Sequence, residues 1–245
     1  MIRDRHSHVQ TYLRPGFWVS PGFYMGYWKE CILANFPLEI IKKHNGLTKY
    51  REMWVGAILA ASDTKDSGTH HFVGLPGREP PDVDIIHYEN TLTSTGKKGL
   101  KRKHTSVEIT RCDLDSGETL LDQVLNKNKP AYTGMNLAVY VYGSPSQTDY
   151  QYVLNALKKE EQVYPTEIVC LEFVMNAGPI LLLPGSYGIS RLWPKPGSKL
   201  VNLSDANAFF RRPNDVVTDA IPRLRTGRDY QDLGTFELLT PKIKL

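Results

Sequence analysis

The apolar positions of the chain change period several times, and each change predicts an element. Leu47, Tyr50, Trp54, Ala57, Ile58 and Ala61 recur at helical spacing and predict an amphipathic helix, with Thr48 as its N-cap. After a Gly/Pro/Ser-rich stretch, Asp82-Val-Asp-Ile-Ile-His-Tyr and Thr105-Ser-Val-Glu-Ile-Thr-Arg-Cys are rich in β-branched residues and predict two strands. Leu120, Leu121, Val124 and Leu125 mark a helix ending near Pro130, and Leu137 to Tyr142 is an almost wholly apolar strand. Tyr150, Val153, Leu154 and Leu157 predict a helix over 150–161, and Ile168 to Met175 reads as a strand buried on both faces.

Helix, strands, helix, strand, helix, strand is an α/β order, with a mixed central sheet flanked by helices. Three stretches follow from this reading. Residues 1–46 mix aromatics with Pro and Gly and predict a packed, irregular extension with a short helix near Tyr27 to Asn35. Residues 47–175 form the α/β core. Residues 176–245 read as a loop-rich extension packed on the core, with a helix begun at Ser204 or Asp205.

Composition changes this picture little. The 245 residues are 41% apolar and 23% charged, ordinary for a globular chain that buries a core without disulfides. No apolar run reaches the roughly 18 residues of a membrane span, and the first residues lack a signal-peptide stretch, so the chain reads as cytoplasmic. Cys31, Cys112 and Cys170 are scattered and form no C-x-x-C pair. The seven histidines show no H-E-x-x-H or Cys/His spacing and read as structural. There is no P-loop or G-x-G-x-x-G, which removes support for a nucleotide cofactor. Pro184-Gly-Ser-Tyr-Gly188 begins with proline where a nucleophile elbow needs glycine.

Charge is more informative in its distribution than in its total of +4. Lys97, Lys98, Lys101, Arg102 and Lys103 crowd into one segment, read as a basic loop between the two strands. Such a loop is either a solvated hairpin tip or a sequence-independent contact to phosphates.

The acids carry the chemistry. Period two places Asp82, Asp84 and Ile86 on one strand face, and Ser106, Glu108 and Thr110 on one face of the next. Were the strands neighbours, Asp82 or Asp84 would approach Glu108, and paired carboxylates need a cation or a proton. A hard divalent ion suits such oxygens, and a salt bridge from Glu108 to a lysine or arginine is the plainer alternative.

Pro81-Asp82, a strand, a turn and then Glu108-x-Thr110 on a following strand resembles the signature of the PD-(D/E)XK, or restriction-endonuclease-like, nuclease superfamily. The order of elements over 47–175 is similar to that superfamily's core. The resemblance implies Mg²⁺ or Mn²⁺ as cofactor, Asp82 and Glu108 as metal ligands with Asp84 as the substitute in another register, and Glu52 on the first core helix. The family's lysine falls on Thr110, which supplies no cation. Related families recruit a lysine from the following helix, where Gln123 and Lys127 are spaced i, i+4 on one side and Lys129 follows. The expectation is a metal-dependent nuclease acting on DNA, or alternatively on RNA, with the basic segment holding the backbone. The alternative is a catalytically inactive protein of the same fold that binds nucleic acid or a protein partner. A homodimer stays open, because the aromatic N-terminal segment (Phe17, Trp18, Phe23, Tyr24, Tyr27, Trp28) reads equally as interface or as core.

Overall fold

The computed structural model of the chain describes residues 15, 17–77, 80–92, 98–173, 185–202 and 216–218. Along the chain these form β1 (Phe17–Val19), α1 (Pro21–Tyr27), α2 (Leu38–Lys43), α3 (Thr48–Ser67), β2 (His71–Gly74), β3 (Val83–Leu92) and β4 (Lys98–Asp113). They continue with α4 (Leu120–Asn126), β5 (Asn136–Tyr142), α5 (Gln147–Leu157), β6 (Glu167–Phe173), β7 (Ser186–Trp193), β8 (Gly197–Asn202) and β9 (Val216–Thr218). The predicted alternation of strands and helices is present, and the class is α/β. Two compact units interleave along the chain: unit 1 holds 1–77, 83–105 and 206–245, and unit 2 holds 78–82 and 106–205.

In unit 1, β9, β1, β2 and β3 pair antiparallel in that order. The helix α3 is buried far beyond one face, since every residue from Arg51 to Ser62 is shielded from solvent. It lies close to β2 because Gly56 leaves room: a Cβ there would stand 2.8 Å from Val73 Cγ2 and 3.0 Å from Val83 Cγ2. Gly68 ends the helix with φ of 67°, a left-handed conformation that costs glycine little. Thr48 is not the cap. A 3₁₀ turn (Asn45–Leu47) runs straight into the helix, so Thr48 already has helical dihedrals. Its hydroxyl instead accepts from Arg51 Nη2 at 2.9 Å. The same guanidinium donates to Ile41 O (2.7 Å) and His44 O (3.0 Å), so its two terminal nitrogens are paired inside the unit.

The N-terminal aromatics belong to the core of this unit. Tyr24, Tyr27 and Trp28 are buried, Trp28 stacks on Trp54 with centroids 5.3 Å apart, and Tyr24 donates to Tyr50 O at 2.7 Å. The stretch is also more regular than expected: α1 starts at a Ser20 N-cap and continues into a π-helical segment (Trp28–Leu33). Burying these rings removes the surface on which an aromatic interface was premised.

Unit 2 carries a mixed sheet. The later half of β4 pairs parallel with β5, β5 pairs parallel with β6, and β6–β7 and β7–β8 are antiparallel. The hairpin of β7 and β8 replaces the loop expected there, while the helix predicted at Ser204 lies outside the described residues. Helices α4 and α5 cover the sheet through Leu120, Val124, Val153 and Leu157, which pack on Cys112, Leu137, Val139, Val141, Ile168 and Cys170. Among the described residues no helix is long and apolar enough to cross a membrane.

Candidate functional site

Unit 2 gathers its polar side chains along one line, and the reason is geometric. Glu108, Thr110 and Cys112 alternate onto the face of β4 that α4 covers, in register with Leu137, Val139 and Val141 of β5. Two strand residues advance about 6.6 Å and four helix residues about 6 Å, so the two periods stay in step. Cys112 therefore packs in the cluster of Leu120 and Val124, Thr110 meets Gln123, and Glu108 meets Lys127. Each two-residue step back along the strand brings in a residue further along the helix.

The contacts are specific. Lys127 Nζ donates to Glu108 Oε1 at 2.6 Å and to Tyr132 Oη at 3.3 Å, and it lies 5.0 Å from the Tyr132 ring centroid. The Glu108 side chain is 8% exposed and that of Lys127 26%. Burial pulls the ammonium toward its neutral form, but the hydrogen bond and charge of Glu108, with a smaller part from Tyr132, outweigh it and raise its pKa. Thr110 Oγ1 donates to Gln123 Oε1 at 3.2 Å, and Gln123 Nε2 reaches Glu118 Oε2 at 3.5 Å. Glu118 also accepts from the Asp113 amide at 2.8 Å and faces Arg111 at 3.6 Å. Thr119 caps the helix by accepting from the Asp122 amide at 3.1 Å.

Asp82 precedes β3 and is bound to β4 on either side of Glu108. Its N–H donates to Val107 O at 3.1 Å, and its Oδ2 accepts from the Ile109 N–H at 2.8 Å. One acid therefore fixes the backbone that carries the other.

The remaining predicted residues belong elsewhere. Asp84 lies on β3 in unit 1, where its Oδ2 is 3.0 Å from His104 Nε2. Among the described residues no group of three or more His, Cys, Asp or Glu side chains is arranged to hold a metal, so Asp82, Asp84 and Glu108 are not gathered as one ligand set. Glu52, on α3 of unit 1, is buried and faces Lys49 at 3.1 Å. Lys101, Arg102 and Lys103 are exposed, but on strand β4 rather than in a loop. Arg102 lies 5.0 Å over the Trp18 ring and Lys103 is 3.5 Å from Glu89. Lys97 and the Lys98 side chain lie outside the described residues. Lys129 is exposed. Of the two lysines weighed for the missing cation, Lys127 is the one that reaches the acid.

Tyr132 carries no signal in the sequence, since it sits in a 3₁₀ turn (Pro130–Tyr132) with no apolar period. The cysteines offer no rival nucleophile: all three are buried, and burial pushes the Cys112 thiol up to about 12.

Comparison with family models, with curated proteins and with solved structures finds no match to this chain.

Proposed function

We propose that unit 2 carries a metal-dependent phosphodiesterase site of the nuclease type, with Lys127 in the role that the resembled motif gives to position 110. One observation carries this reading. The lysine of α4 reaches the strand acid Glu108, while Thr110 is held by Gln123 from the same helix. Asp82 and Glu108 supply hard carboxylate oxygens, and Mg²⁺ commonly takes one or two carboxylates and keeps its waters, so this donor set fits such an ion. When bound, the ion would polarise a phosphodiester and activate a water. Asp82 and Glu108 would hold it, and the Lys127 ammonium would face the negative charge that develops on the phosphate oxygens. Gln123 and Thr110 keep α4 in step with β4, which sets where that ammonium stands.

A second reading rests on the same contacts taken as final. Asp82 already accepts from a backbone amide, and Glu108 already has an ammonium. The chain would then be a non-cleaving relative of this fold that binds nucleic acid or a protein partner, with the exposed Lys101 and its neighbours as a phosphate contact.

Purified protein incubated with plasmid, linear and single-stranded DNA and with RNA, in Mg²⁺ or Mn²⁺, tests the first reading. Cleavage by the wild type that is lost in Asp82→Asn and Glu108→Ala is the expected result. Cleavage surviving both substitutions excludes this site. Calorimetry showing no Mn²⁺ binding, together with salt-sensitive DNA binding, supports the second reading.

A further inference from the structure

We infer that Tyr132 is a positioning residue, whose phenol holds the Lys127 ammonium where Glu108 meets it. The inference rests on the phosphodiesterase reading for its catalytic consequence, but the contact stands independently of that reading. Lys127 is the residue at which α4 ends, with φ −100° and ψ −1°, and its side chain has four rotatable bonds and a head that is partly open to water. A single acceptor leaves such a head free to pivot about one hydrogen bond. Tyr132 supplies a second acceptor at 3.3 Å and a ring face at 5.0 Å, so the ammonium is fixed from two directions.

The phenol is itself well placed to do this. Its own turn is closed by Tyr132 N to Lys129 O (3.0 Å) and Met135 N to Tyr132 O (3.2 Å). Between the lysine and that turn, the Asn128 side chain makes three bonds to a distant stretch of chain. Its Nδ2 donates to Glu160 Oε2 and to Gln162 O, each at 3.2 Å, and its Oδ1 accepts from Tyr164 N at 2.9 Å. Backbone and head of Lys127 are therefore both fastened. A displacement of about 1 Å in such a group is enough to lower a rate by roughly 10²-fold.

The test is Tyr132→Phe, which keeps the ring and its packing and removes the second acceptor. In an oligonucleotide cleavage assay, kcat should fall roughly tenfold, the size of one hydrogen bond to a charged group. KM and the calorimetric Mn²⁺ affinity should stay within about twofold of wild type, the range of a uniform-binding effect near zero. A second readout needs no cleavage: acetylation of Lys127 by acetic anhydride, followed by peptide mass spectrometry. The variant should label faster by about threefold, because the less restrained head group more often meets the reagent as the free amine that it acylates (a population change of under 1 kcal/mol). Unchanged labelling of Lys127 overturns the inference whether or not the protein cleaves DNA. So does an unchanged kcat in a cleaving protein, or a loss expressed in KM or Mn²⁺ affinity. Faster labelling in a protein that cleaves nothing upholds the positioning role and removes the phosphodiesterase reading alone.

Discussion

The Lys127 ammonium stands 2.6 Å from Glu108 Oε1, and the two residues are 19 positions apart. The acid is the more deeply buried partner, so the pair is asymmetric. Lys127→Met strands a buried carboxylate and should lower stability by about 3 kcal/mol, the lower end for a broken buried pair because the lysine is partly exposed. Glu108→Gln leaves an ammonium that can turn toward water and should cost only about 1 kcal/mol. Urea denaturation of both variants measures the difference. Because the folded-state pKa of Lys127 is raised, the pair's contribution is complete below the ordinary lysine value of 10.5 and is lost as pH rises through the folded value. Loss of the lysine's charge should therefore close the gap between wild type and Lys127→Met on the alkaline side. Added Mn²⁺ should restore part of the stability of Lys127→Met, with a divalent ion in place of the missing cation; a midpoint indifferent to Mn²⁺ counts against ion binding by these acids.

Asp82 separates structure from chemistry in a single position. Its Oδ2 accepts from the Ile109 amide at 2.8 Å. Asp82→Ala orphans that N–H and should destabilise by about 1–3 kcal/mol. Asp82→Asn keeps an acceptor oxygen there and should stay within about 1 kcal/mol of wild type by the same reasoning, while any metal-dependent cleavage is lost. Thermal melts run beside the cleavage assay check both halves. An active Asp82→Asn variant argues against a ligand role.

Thr110 gives a contrasting expectation. Its bond to Gln123 is neutral and only partly buried, at 3.2 Å. Thr110→Val should cost about 0.5–1.5 kcal/mol. If the bond keeps α4 in step with β4, acetylation of Lys127 should also quicken in this variant, although Thr110 does not itself bond the lysine.

Glu172 lies half-buried on β6, and burial raises its pKa, an effect that the Tyr150 phenol only partly offsets. A carboxyl whose folded pKa is raised stabilises the fold fully below its unfolded value, and that contribution is lost as pH rises through the folded value. Glu172→Gln should therefore match wild type near pH 4 and be the more stable of the two at pH 7. Chemical denaturation at both pH values reads this, and the reverse order would contradict the burial argument.

Much of the fold was legible because unit 2 alternates regular periods: α4, β5, α5 and β6 fall close to where the spacing of apolar residues puts them. The reach of Lys127 toward β4 was legible too, since it follows Gln123 by about one helical turn at the end of α4. What failed did so for physical reasons. The apolar spacing around Glu52 looked one-faced, but α3 is buried on nearly all sides. Thr48 looked like a cap until the preceding 3₁₀ turn made it helical. Asp82's tie to Ile109 spans 27 residues and leaves no local trace. The buried positions of β7 alternate only from Tyr187 to Ile189 and then skip to Leu192, and the strand is set among Gly and Pro, which disguised it as loop.

The three bonds of Asn128 place the support of Lys127 away from the residues its ammonium meets. The residues that hold the loop after Lys127 are Glu160, Gln162 and Tyr164, in the connection between α5 and β6. The Lys127 ammonium itself bonds Glu108 and Tyr132. A sequence change in that connection, harmless by any inspection of the acids, would nonetheless retune the counter-charge of Glu108. The tolerance of this protein to drift should thus depend partly on the connection between α5 and β6.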